Sequence, residues 1–93
     1  MQEQIEQWKK QYGDVFKLTI EDKTAYLKKP GRKVLSYASS IGTKDPMKFN
    51  EIILNECFIG GDEEIKTDDA YFLAASAKLA EIIEVKEAEL VKL

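Results

Sequence analysis

Hydrophobic positions along the chain follow two different periods, and the change from one to the other sets the order of elements. In the opening stretch Ile5, Trp8 and Tyr12 fall at i, i+3 and i+7. That spacing places them on one face of a short helix over 1–13, with Gly13 supplying a left-handed stop. Alternation then takes over. Phe16, Leu18 and Ile20 point one way and Lys17, Thr19 and Glu21 the other, and Ala25 and Leu27 alternate with Tyr26 and Lys28. Two short strands separated by Glu21-Asp22-Lys23 predict a β-hairpin over 14–29. An isolated hairpin is marginal in water, so it must lie on helices or add strands from another copy.

After the break at Pro30-Gly31 the helical period returns and holds over 31–93. Val34, Tyr37, Ala38 and Ile41 make one apolar stripe, closed by Gly42. Asp45-Pro46 is the strongest helix start in the chain: the carboxylate caps free amides, and proline fits a first turn where no N–H is needed. The buried face of this helix reads as Phe49, Ile53, Leu54, Cys57 and Phe58, with Gly60-Gly61 as its end. Thr67 is expected to cap a last, long helix, with Asp68 and Asp69 in the first turn, where the helix dipole favours negative charge. Phe72, Ala75, Leu79, Ile82, Ile83 and Leu90 recur at helical spacing, and neither Gly nor Pro interrupts the run to Leu93. The prediction is a single compact, predominantly helical α+β domain over 1–93: an N-terminal helix, a short hairpin, then three helices, the last one long.

Composition supports one domain. The 93 residues are 44% hydrophobic and 33% charged, in the globular range. No apolar run approaches the roughly 20 residues of a membrane span. The opening MQEQIEQWKK has polar residues where a secretion signal would place its apolar stretch, and the single Cys57 has no disulfide partner. These features point to a soluble protein of the cytoplasm. The net charge is −3, yet five basic residues and no acid lie between Lys23 and Lys33, while seven acids face the lone Lys66 between Glu51 and Asp69. Such asymmetry orients a protein against a charged partner or stacks copies head to tail; it also describes two ordinary solvated surfaces.

Candidate chemistry is sparse. There is no histidine, which removes the commonest general base and metal ligand, along with the Ser-His and Cys-His pairs. One cysteine cannot build a structural zinc site, and on an apolar helix face it reads as a small buried hydrophobe. The acids Asp62, Glu63, Glu64, Asp68 and Asp69 lack the spacing of a calcium loop. Gly42-Thr43-Lys44 lacks the order and the upstream glycine of a phosphate loop. We therefore expect no enzyme, no cofactor and no metal. A local basic patch of Lys28, Lys29, Arg32 and Lys33, with Tyr26 and Tyr37 nearby, is the remaining candidate for nucleic acid. A pI near 5.0 opposes it.

Taken in order, the phrases QIEQWKKQYG, VFKLTIEDKTAYLKKPGRKV, KDPMKFNEIILNECFIGGDEEI and DDAYFLAASAKLAEIIEVKEAELVKL resemble the small tail assembly chaperones encoded by tailed bacteriophages and prophages, especially those of Bacteroides-type bacteria. Lys23 to Leu93 carries most of the resemblance. It implies a non-enzymatic protein of the bacterial host cytoplasm that binds a long, helical tape-measure protein, keeps it soluble and recruits tail-tube subunits. Exposed-stripe reasoning makes Trp8, Ile82, Ile83, Val85, Leu90 and Val91 the candidate partner-binding residues; the same residues serve equally well as core. The alternatives are a structural phage component that forms rings or tubes by pairing hairpin edges between copies, and a nucleic-acid-binding regulator that uses the basic patch.

Overall fold

A computed structural model describes residues 2–83 and 87–93. Helix α1 (Gln2–Tyr12) ends as its sequence predicts: Gly13 takes a φ of +85° and donates its N–H to the Lys9 carbonyl at 2.9 Å. The hairpin follows as β1 (Val15–Ile20) and β2 (Lys23–Lys28), in register from Val15 opposite Lys28 to Ile20 opposite Lys23. The loop is shorter than expected. It is the two residues Glu21 and Asp22, with Glu21 in the left-handed region at φ +53° and Lys23 already in the strand.

Helix α2 (Arg32–Gly42) packs against α3 (Pro46–Cys57). The inward face of α2 is Val34, Leu35 and Ala38; Tyr37, assigned to the apolar stripe, is exposed because Leu35 takes the place against the core. The α3 start forms as read, with Asp45 Oδ1 accepting from the Met47 and Lys48 amides at 3.1 and 3.4 Å.

The end of α3 departs from expectation. The helix stops at Cys57, and Phe58–Gly61 becomes a third strand, β3, antiparallel to β2. Phe58 therefore belongs to the sheet and not to the helix face. The sheet order is β1-β2-β3, with a register shift at Tyr26/Leu27. Two close approaches explain the glycines. A Cβ on Gly60 would lie 2.6 Å from Trp8 Cη2, and one on Gly61, at φ +114°, would collide with the Thr24 carbonyl. Asp62 then locks the strand end: its amide donates to the Thr24 carbonyl and its carboxylate accepts from the Thr24 amide, both at 2.8 Å.

The long last helix is also corrected. After a single turn, α4 (Glu64–Thr67), comes α5 (Asp69–Ser76), whose cap is Asp68 and not Thr67. The Asp68 carboxylate accepts from the Ala70 and Tyr71 amides at 2.9 and 3.3 Å, while the Thr67 hydroxyl donates back to the Glu63 carbonyl. Helix α5 ends after Ser76, whose hydroxyl bonds back to Phe72 at 2.9 Å, a contact that loosens helices. The backbone then tightens through Lys78 N–H to Ala75 C=O into a 3₁₀ turn, Leu79–Ile82. The three-residue period of that turn sends both Leu79 and Ile82 into the core. Residues 87–93 form no helix.

One face of the sheet, with Phe16, Leu18, Ile20, Ala25 and Leu27, meets Ile53, Leu54, Cys57, Ile65, Ala75, Leu79 and Ile82. Part of the other face is covered by α1 through Trp8, whose ring lies 5.4 Å from that of the buried Tyr26. The architecture is α+β: an N-terminal helix, a hairpin extended to three antiparallel strands, and helices.

Candidate protein-binding groove

The two-residue loop dictates which backbone groups of β1 are free. Ile20 and Lys23 flank it as a hydrogen-bonded pair, so the alternation along an antiparallel ladder makes Leu18–Ala25 and Phe16–Leu27 bonded pairs too. Thr24 confirms the phase, since its N–H and C=O both turn away from β1 to Asp62. Val15, Lys17 and Thr19 therefore aim their amides and carbonyls outward from an edge that no strand among the described residues covers.

A groove of about 410 Å³ runs along this edge. Residues Phe16 to Ile20 form one wall, Ala74, Leu79 and Ile82 the other, and Leu27 lies beneath. Its rim carries Lys17, Lys78 and Glu81, the last two paired at 3.4 Å. At the hairpin tip, Ile20, Tyr71 and Ala74 line a smaller recess. There the Tyr71 hydroxyl donates to Asp22 at 3.3 Å. Partial desolvation, and then the Asp22 carboxylate, push the Tyr71 pKa up.

The residues named from sequence lie in separate places. Trp8 is half-buried over Tyr26 and Gly60. Ile82 is buried in the groove wall, and Ile83 packs partly against the core. Leu90 and Val91 are exposed at 100% and 63%, and Val85 lies outside the described residues. In the basic patch, Lys28 Nζ sits 4.8 Å above the Tyr12 ring and Lys29 pairs with Asp14 at 2.8 Å, while Arg32 and Lys33 are exposed at the start of α2. Sequence reasoning missed the groove walls: Phe16, Leu18 and Ile20 show only as an inward face until the strand order makes β1 an edge.

Four of the five clustered acids are individually employed. Glu63 pairs with Lys66 at 2.8 Å, Glu64 with Lys23 at 3.5 Å, Asp62 holds Thr24 and Asp68 caps α5. Glu64 in turn raises the Lys23 pKa. Among the described residues no group of three or more side chains is placed to hold a metal ion. Cys57 is buried, and desolvation pushes its thiol up to about 11. No helix among the described residues is long and apolar enough to cross a membrane. Comparison with protein families, curated proteins and solved structures gives no match.

Proposed function

We propose that this chain is a non-enzymatic, protein-binding assembly factor, a phage tail assembly chaperone in the sense its sequence resemblance implies. It holds an apolar stripe of a helical, tape-measure-type client in the groove beside β1, in the cytoplasm of a bacterial host. The observation that carries the reading is the groove itself: an open apolar trough with charged residues confined to its rim. Such a trough takes the i, i+3, i+4 side chains of an amphipathic helix. A client stripe left uncovered would aggregate, and covering it is the action of a holding chaperone.

The test is affinity capture of the tagged protein from its prophage-induced host, read by mass spectrometry, beside an Ala74→Glu variant. Ala74 is exposed on the groove wall, so the charge enters the trough without entering the core. We expect a long, helix-rich phage protein in near-stoichiometric amount with the wild type, and its loss with Ala74→Glu. Full recovery by the variant overturns the groove assignment, and recovery of host proteins or nucleic acid alone overturns the function.

A second reading, a self-assembling ring or tube subunit, is favoured by the uncovered β1 edge. It requires defined rings or polymers of the purified chain without any client.

A further inference from the structure

Residues 87–93, Glu-Ala-Glu-Leu-Val-Lys-Leu, stand clear of the fold, with Leu90, Val91 and Leu93 exposed at 100%, 63% and 113%. Seven extended residues span about 23 Å, enough to run the whole length of a six-residue strand of about 20 Å. We infer that this segment of a second copy adds to the sheet as a fourth strand, antiparallel to β1, and fills the groove between copies. The inference rests on the groove being a protein-binding site, and adds a ligand that competes there with the client.

Charge and pattern select one register. With Glu89 opposite Lys17, Leu90 falls beside Phe16 and Ala88 beside Leu18, both on the groove side of the sheet. Glu87 then faces Thr19, Val91 faces Val15 and Lys92 faces Asp14. Small and apolar residues enter the trough, acids meet the rim lysine, and the outward amides and carbonyls of Val15, Lys17 and Thr19 acquire partners. A shift by one residue would send Glu87 and Glu89 into the apolar trough. Within one chain only four residues separate Ile82, which lines the groove, from Glu87, so a second copy supplies the segment without a tight reversal.

The test is charge reversal by halves. Sedimentation velocity over a concentration series is run on the wild type, on Lys17→Glu, on Glu89→Lys, and on an equimolar mixture of the two variants. We expect the wild type to self-associate and each variant alone to weaken that by roughly fivefold or more, since like charges then face each other. The mixture should recover wild-type association. In it the reversed position 17 of one variant meets the reversed position 89 of the other, and the native Lys17 meets the native Glu89. Folding of the segment onto its own groove gives no such recovery and overturns the inference; so does a wild type that stays monomeric throughout. Deletion of 87–93 separates this idea from the proposed function. A deletion variant that captures client while the wild type never self-associates defeats only the inference. Self-association that needs 87–93, with no client ever recovered, defeats only the chaperone reading.

Discussion

Trp8 is the lone tryptophan, and it is seated by what Gly60 lacks. Its ring occupies the space a Cβ would take, tilted 41° over Tyr26, which places an aromatic pair on the sheet face opposite the main core. Gly60→Ala must push the indole aside, an overpacking cost of about 1–3 kcal/mol. The expected readout is a red-shifted tryptophan emission with a lowered denaturation midpoint; an unchanged spectrum would mean the ring is not held there. Cys57 gives a second prediction. Below pH 9 its thiol is protonated in both folded and unfolded chains. As pH rises through 9.0, the ordinary value, the unfolded thiol ionises while the buried one stays neutral up to about 11. Stability therefore falls across that window, by roughly 2 kcal/mol on linkage. Lys23, its pKa raised by Glu64, pushes the same way as it deprotonates at higher pH. Cys57→Ala should flatten, but not abolish, the decline in denaturant-measured stability between pH 9 and 11.

The start of α3 and the hairpin were readable because each rests on local chemistry. Asp45-Pro46 caps with its own side chain, and strict alternation of Phe16, Leu18 and Ile20 has no helical counterpart. Three features were not readable: two depend on a partner distant in sequence, and the third on the short turn just before it. Phe58–Gly61 is too short to show alternation, and it becomes a strand because β2 offers Ala25, Tyr26 and Leu27 to it and Trp8 closes over Gly60. No breaker stops α5, yet burial of Leu79 and Ile82 against the sheet draws the chain into a 3₁₀ turn. The cap of α5 moved by one residue because Thr67 completes α4, leaving Asp68 extended at φ −88° and ψ 125°. These assignments separate cleanly in a pair of variants. Asp68→Ala should cost about 1 kcal/mol, the usual loss of a cap. Thr67→Ala, which removes only a 3.4 Å hydroxyl contact, should cost clearly less by chemical denaturation.

For the whole molecule, the question is whether a partner is held by charge or by apolar contact. The basic patch shows plainly in the sequence, the groove does not, and the two share only β2, through Lys28 and Leu27. Lys28, Lys29, Arg32 and Lys33 run from the end of β2 into α2, and none of them lines the groove. Lys28 lies over Tyr12 and Lys29 pairs with Asp14, so both already contribute to attaching the end of α1 to the hairpin. Surface pairs of this kind are worth about 0–1 kcal/mol each, and their loss leaves the fold standing. Replacing all four by Gln takes the net charge from −3 to −7, a large change in long-range field that leaves the trough walls untouched. If docking is apolar and sited at the groove, the fourfold variant captures client as the wild type does, with little dependence on salt between about 50 and 200 mM. A regulator that binds nucleic acid through these residues behaves oppositely. Each phosphate contact contributes to the salt slope, so four neutralised cations would remove most of the affinity and most of that slope. Capture that survives in Ala74→Glu and vanishes in the fourfold variant would move the functional surface from the β1 edge to the start of α2.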